Sequence, residues 1–242
     1  MKPPQALFFD LDSTLLDNRE FQTAIARTCS TIVAAKAGLD AVRLLEANRK
    51  IWEAYWPGVE HEWTLGFLDG ASVSLEAWRR TLRSCGCADE ALVTLAMEAQ
   101  SRHTREAYRL YEDVPGLLNL LKGRLPLAVI TNGAADTQRE KLRWLDIERR
   151  FGVIAISGEV GVAKPDAMIF RLALDQLGIA ADCAWHVGDS LQTDVAGAKA
   201  VGLTAVWLNR HGIRRTTGDA EPDFEIESLT GLLPLLDGIG LG

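Results

Sequence analysis

The stretch Ala6-Leu7-Phe8-Phe9-Asp10-Leu11-Asp12-Ser13-Thr14-Leu15-Leu16 decides how this chain is read. Four apolar residues rich in strand formers stop at an acid, and a second acid follows two places on. A short apolar run bounded in this way predicts a buried strand. On a continuing strand both carboxylates would point to one face, where they repel unless a cation or a shared proton compensates. Acidic strand ends also serve as turns and helix caps, so the stretch alone leaves a structural and a chemical reading open.

Similar apolar runs recur at 125–130, 151–156, 183–187 and 203–208. Helical spacing lies between them, as in Met168, Ile169, Leu172, Ala173 and Leu177, or Leu191, Val195, Ala198 and Val201. Alternating strands and helices of this length predict an α/β fold, a parallel sheet with helices on both faces. In such sheets ligands sit beyond the carboxyl ends of the strands, so the residues that end each run carry the interest.

Residues 18–108 read differently, with no strand pattern. Leu44, Leu45, Asn48, Ile51, Trp52, Tyr55 and Trp56 mark one helical face, which Pro57-Gly58 terminates. Leu92, Leu95, Ala96 and Ala99 mark another. Trp52, Trp56, Trp63 and Trp78 read as the core of a small helical bundle, or as walls of a pocket facing the sheet. Asp113-Val114-Pro115-Gly116 looks like the return to the main body. The expected organisation is a core of residues 1–17 and 109–242 with a helical insertion at 18–108.

Composition narrows the function. With 242 residues, 48% hydrophobic and 24% charged, the chain is neither disordered nor low in complexity. Its 26 basic against 33 acidic residues leave a charge of −7, which disfavours a nucleic-acid partner. Met1-Lys2-Pro3-Pro4 does not open a signal peptide, and no run approaches the roughly 18 apolar residues of a membrane span. The expectation is a cytoplasmic monomer or homodimer without a membrane partner. Cys29, Cys85, Cys87 and Cys183 match neither a zinc nor a disulfide framework.

Three further segments carry chemistry. Ile130-Thr131-Asn132-Gly133 ends the second run before a helical pattern at 134–145; a hydroxyl, an amide and free N–H groups there form an anion site. In Val162-Ala163-Lys164-Pro165-Asp166, Pro165 suits the first position of a helix and Asp166 its positive end, so a pocket-facing Lys164 needs an anionic partner. Trp185-His186-Val187-Gly188-Asp189-Ser190 ends another strand, and with Asp194 its acids could complete an oxygen-rich Mg²⁺ site. His186 reads as a core histidine, and His61 and His103 show no partners. The acidic stretch 219–227 reads as a solvated connection before a last strand, and Gly238-Ile239-Gly240-Leu241-Gly242 as a frayed end.

In this order, from Ala6 to about Leu208, the pieces resemble the haloacid dehalogenase (HAD) superfamily. The resemblance implies a Rossmann-like core whose insertion is a cap. It makes Asp10 the nucleophile that becomes an aspartyl phosphate and Asp12 the general acid and base. Thr131 and Lys164, beside Asn132 and Gly133, would hold the phosphoryl oxygens. Asp189, with Asp194 behind it, would hold Mg²⁺ together with Asp10 and the carbonyl of Asp12. A phosphate ester repels a carboxylate, so Mg²⁺ and Lys164 must neutralise charge before Asp10 can approach. Asp12 must carry a proton when substrate binds; water exclusion by the cap raises its pKa and Mg²⁺ counters that shift.

The family's dehalogenases do not normally carry an acid two residues after the nucleophile, so Asp12 argues for phosphoryl transfer. Phosphonoacetaldehyde hydrolases also lack it and need a cap lysine, whereas Lys36 and Lys50 read as surface residues. Mutases keep both aspartates, but phosphatases are commoner, and the favoured reading is hydrolysis of a small phosphate monoester. A phosphomutase, a 2-haloacid dehalogenase or a non-catalytic sensor of a phosphorylated metabolite are the alternatives. Residues 188–194 with Val206-Trp207-Leu208-Asn209 are similar to the branch that includes N-acylneuraminate-9-phosphatases and pyrimidine 5′-nucleotidases. That implies a sugar-acid phosphate or a nucleoside monophosphate, with Arg19 and the tryptophans of the insertion as candidate leaving-group contacts.

Overall fold

The computed structural model describes residues 3–237. The opening apolar run forms β1 (Ala6–Phe9), buried on both faces as a central strand of a parallel sheet must be. After a tight turn come β2 (Leu16–Asp17) and then five helices: α1 (Phe21–Ala35), α2 (Ala41–Tyr55), α3 (Glu60–Thr64), α4 (Gly70–Ser84) and α5 (Glu90–Ala107). β3 (Arg109–Leu110) pairs antiparallel with β2, Asp17 opposite Arg109, so the helical segment leaves and returns through one two-stranded doorway.

The chain continues through α6 (Asp113–Leu121), β4 (Leu127–Thr131), α7 (Ala135–Trp144), β5 (Val153–Ile156), α8 (Ser157–Val160) and α9 (Ala167–Leu177). β6 (Ala184–Gly188), α10 (Ala196–Val201), β7 (Thr204–Leu208), β8 (Phe224–Ile226) and α11 (Leu232–Asp237) follow. The six long-sheet strands are parallel in the order β5-β4-β1-β6-β7-β8. From β1 the chain works outward to β4 and β5, then crosses back to β6. The switch lies at β1, and its carboxyl end with those of β4 and β6 is the binding edge of such a sheet.

Alternation along β1 builds two cores. Leu7 and Phe9 pack with Leu117 and Leu118 of α6, Leu142 of α7 and Leu232 and Leu236 of α11. Ala6 and Phe8 pack on the other face with Ile169, Phe170 and Ala173 of α9 and Ala198 of α10. The result is the expected Rossmann-like α/β architecture. A third core holds the helical segment together, with Cys29, Ile32, Leu44, Trp78 and Leu82 buried between α1, α2, α4 and α5. Asp40, Asp69 and Asp89 cap three of these helices by accepting from backbone N–H groups in the first turn.

Some details differ from the sequence reading. The return to the main body at Asp113 opens directly as α6; its carboxylate accepts from Arg210 and from the Leu229 backbone N–H. The acidic stretch 219–227 contains the last strand itself: Phe224 packs on Trp185, and Asp223 accepts from the Ala205 N–H at 2.8 Å. The proposed frayed end, Gly238 to Gly242, lies outside the described residues. No helix among the described residues is long and apolar enough to cross a membrane.

Candidate active site

The geometry starts at the turn after β1. The Asp10 N–H donates to the Val187 carbonyl, which ties β1 to β6. Leu15 and Leu16 then both donate to the Leu11 carbonyl, and Ser13 takes a left-handed conformation (φ 62°). The chain therefore reverses instead of continuing as a strand. Asp10 and Asp12 face different partners, which relieves the repulsion that an extended strand would impose.

Asp10 is buried and accepts from Lys164 Nζ at 2.6 Å. The same ammonium reaches Asp194 Oδ1 at 2.6 Å. Carboxylate oxygens of Asp10, Asp189 and Asp194 all lie within 4.8 Å of one another. Asp194 spends both oxygens on the protein: Oδ1 on Lys164 and His186 Nε2, Oδ2 on the Ser190 N–H. It sits in a π-helical turn, Leu191–Val195, that brings it under the end of β6. Only a glycine fits there, since a Cβ at residue 188 would lie 2.2 Å from Asp194 Cγ.

Three carboxylates against one ammonium leave a formal charge of minus two. That excess shifts the ionisation of its members. Burial pushes the Asp10 carboxyl up; Lys164 pulls it down, while Asp194 and Asp189 push it further up. Burial and the charge of Asp194 push Asp189 up to about 6. Burial works against the Asp194 charge too, but Lys164 and His186 more than offset it and hold the carboxyl low. An all-oxygen cluster with this charge fits a hard divalent cation such as Mg²⁺, with Asp10 and Asp189 as the carboxylates left to meet it.

Asp189 yields a measurable consequence. Its carboxyl ionises near 3.8 in the unfolded chain and near 6 in the metal-free fold. Between those values the fold binds more protons, so its stability falls as pH rises from about 4 to about 6, by about 3 kcal/mol. Asp189→Asn should therefore raise the melting temperature of the metal-free protein at pH 7.5 by about 6–12 °C. That gain should shrink as the pH is lowered toward 4, and thermal unfolding in EDTA measures it.

The opposite wall comes from β4 and the loops after β5. Thr131 is buried at the end of β4. Asn132 turns its side chain to the Lys164 backbone, donating to the carbonyl at 3.0 Å and accepting from the N–H at 2.8 Å. The Gly133 N–H donates to Ser157 Oγ at 2.8 Å. Asn132 thus braces the segment that carries Lys164, and the Gly133 N–H is already engaged. Helix α9 starts at Ala167 with Asp166 as its cap, so Pro165 and Lys164 precede the helix rather than open it. Lys164 meets two carboxylates there, the anionic partners a buried ammonium needs.

Two residues enter that sequence reasoning missed, Lys141 and Gln138, and a third, His186, is the core histidine expected but with a carboxylate as its partner. Lys141 Nζ lies 2.8 and 2.9 Å from the two Asp12 oxygens and 2.7 Å from Gln138 Oε1. Gln138 Nε2 donates to Asp12 Oδ2 at 2.8 Å and to Thr131 Oγ1 at 2.6 Å. Desolvation opposes ionisation of Asp12, but Lys141 and Gln138 together outweigh it and the carboxyl lies below its ordinary range. The expected upward shift is thus reversed by an ammonium inside the core. His186 is buried, pushed down by burial against the pull of Asp194, and holds that carboxylate rather than merely filling space.

The helical segment closes over this edge. Trp63 lies against the loop that follows β4: a Cβ at Gly133 would come within 2.6 Å of its ring. Trp63 meets Trp56 edge-on, and Trp56 packs at a tilt on Trp52, which lines a cavity of about 390 Å³ with Gln22, Asn48 and Arg49. Trp78 instead is core, its indole N–H donating to Gln100. Asp136 of α7 accepts from the Gly70 and Ala71 N–H groups at the start of α4, and Arg105 pairs with Glu140 at 2.6 Å. Arg19 is exposed and bound to Asp17, while Lys36 and Lys50 pair with Asp89 and Glu46 at the surface.

Comparison with known proteins agrees with this arrangement. The family model for haloacid dehalogenase-like hydrolases matches residues 4–202. The chain is 35% identical to the phosphoserine phosphatase of Thermus thermophilus, over 92% of this chain and 95% of that one. It is 30% identical to the N-acylneuraminate-9-phosphatase of Rattus norvegicus, over 97% and 94%. Among solved structures, the HAD phosphatase of Thermococcus onnurineus superposes with a TM-score of 0.68 at 25% identity, covering 98% of this chain and 99% of that one. The 2-haloacid dehalogenase of Pseudomonas syringae gives 0.69 at 25% identity, covering 97% and 99%. With the paired acids, the buried lysine and the parallel sheet in place, this chain belongs to the haloacid dehalogenase-like hydrolase family.

Proposed function

We propose that the protein is a Mg²⁺-dependent phosphatase that hydrolyses a small phosphate monoester through an aspartyl phosphate on Asp10. The observation that carries this reading is the division of labour between the two acids: Asp10 meets Lys164, and Asp12, one turn away, meets Lys141 and Gln138. A dehalogenase has no task for the second carboxylate. A sensor without turnover has none either.

In the first step an Asp10 oxygen bonds to phosphorus as the ester P–O bond breaks; Asp12, a carboxylate beside Lys141 in the free site, must take up a proton as the substrate binds and then gives it to the leaving alkoxide. In the second step Asp12 takes a proton from water, the water oxygen bonds to phosphorus, and phosphate leaves as Asp10 is regenerated. The Thr131 oxygen accepts from Gln138, which leaves its own O–H free to donate to a phosphoryl oxygen. The Lys164 ammonium meets the negative charge on the transferring group, where a preoriented donor acts most strongly. Asp10, Asp189 and the Asp12 carbonyl would hold Mg²⁺, which would supply neutralisation of the phosphoryl charge.

The substrate we assign is a sugar-acid phosphate or a nucleoside monophosphate, supported by the likeness to N-acylneuraminate-9-phosphatase and by the aromatic series Trp63, Trp56 and Trp52 beside the site. A panel of N-acetylneuraminate 9-phosphate, pyrimidine nucleoside monophosphates, phosphoserine and p-nitrophenyl phosphate tests it. One of the first two classes should exceed p-nitrophenyl phosphate in kcat/KM by about tenfold or more, because remote binding energy is realised in the transition state. A preference for phosphoserine would overturn the substrate assignment while leaving the reaction intact.

A further inference from the structure

Lys141 is a buried cation with no part in the steps above. Its ammonium spans both oxygens of Asp12, and its remaining contact is Gln138 Oε1. Gln138 is fully buried and its amide is fixed in orientation, with Oε1 toward Lys141 and Nε2 toward both Asp12 and Thr131. One amide therefore sets the spacing between the hydroxyl on the phosphate side and the carboxylate on the proton-transfer side. Both residues project from α7, whose buried face is completed by Leu142 packed beneath the sheet.

We propose that Lys141 and Gln138 are positioning residues that aim the Asp12 carboxylate at the leaving-group oxygen and, later, at the attacking water. The inference rests on the phosphatase reading, since it gives Asp12 its task. Lys141 acts through Asp12, and Gln138 through both Asp12 and Thr131. Without Lys141 the Asp12 side chain loses the contact that pins both its oxygens, and a displacement of about 1 Å costs about 10²-fold in rate.

The two half-reactions separate this role from a structural one. p-Nitrophenolate leaves without a proton, so phosphorylation of Asp10 by p-nitrophenyl phosphate hardly needs Asp12, whereas hydrolysis of the aspartyl phosphate does. Lys141→Met should keep the first turnover and slow the second, giving a burst of p-nitrophenolate near one equivalent per site. Acid-quenched protein should carry one added phosphoryl group by mass, and steady-state kcat should fall about 10²-fold. Lys141→Arg should restore part of the loss. In an Asp12→Ala background, where the charges are removed as a pair, Lys141→Met should change kcat by less than about twofold, since it acts through the missing group.

Burst and steady state falling together in Lys141→Met, wild-type kinetics in that variant, or a further large loss in the Asp12→Ala background would each overturn the inference. If the unmodified protein releases no phosphate from any ester, the phosphatase reading fails and this one with it. If the unmodified protein turns over and only the Lys141 variants behave otherwise than described, the phosphatase reading stands alone.

Discussion

Asp10→Asn is expected to lower kcat by about 10⁴-fold or more while leaving the metal-free fold at least as stable as before. An amide oxygen does not displace an alkoxide, so no aspartyl phosphate can form. The fold tolerates the change because the Asn oxygen still accepts from Lys164 and one negative charge leaves an over-charged cluster. The sign follows from the surroundings of Asp10: burial and the neighbouring acids raise its carboxyl, so its ionised form costs the native state free energy that a neutral amide does not. Phosphate release with Mg²⁺ and melting in EDTA measure the two halves. Undiminished turnover would remove Asp10 from the nucleophile's role, and a lower melting temperature would mean that its pairing with Lys164 outweighs the repulsion.

Removal of divalent cations should cost about 10³-fold in turnover, the order expected when several kcal/mol of transition-state charge stabilisation is lost. Added Mg²⁺ should restore it. The same titration should appear in stability. At about a hundredfold excess over its dissociation constant a bound ion contributes about 2.7 kcal/mol, or a rise of about 5–10 °C in melting temperature for a chain of this size. Asp189→Asn should abolish that rise, because Asp194 has both oxygens engaged and cannot replace it. Turnover that persists in EDTA would take Asp189 out of its proposed place.

The parallel sheet was legible in the sequence because each strand is an apolar run that stops at a polar motif: Asp10, Thr131 and Asp189 stand at those stops or just after them, and Lys164 stands in the loop between α8 and α9. Such motifs are local, and their residue types make sense within a few neighbours. Lys141, Gln138 and His186 follow no local rule. Lys141 lies in Gln138-Arg139-Glu140-Lys141, which reads as the solvated face of a charged helix. Yet Ala134, Gln138, Lys141 and Leu142 fall on one face at helical spacing, and all four are buried. Two long polar residues on an otherwise apolar face were the available signal. His186 sits in register between Phe8 and Ala205, so its strand position told of burial and nothing of the carboxylate eight residues on. The direction of the Asp12 shift could not be read for the same reason: desolvation is visible from a motif, the partner from a distant helix is not.

The two short strands Leu16–Asp17 and Arg109–Leu110 give the molecule a modular character. Because the helical segment begins and ends on paired neighbours, its two ends are no farther apart than those of a hairpin. The sheet therefore receives no information about what is inserted there beyond a closed loop. Lengthening a closed loop is cheap, about 0.6 kcal/mol for each doubling, so the insertion can grow, shrink or be exchanged with little effect on the sheet beneath. Diversification and redesign share that route: new helices can be threaded through the same pair of strands to present a different lining to the substrate, while the acids at the strand ends keep their positions and their chemistry.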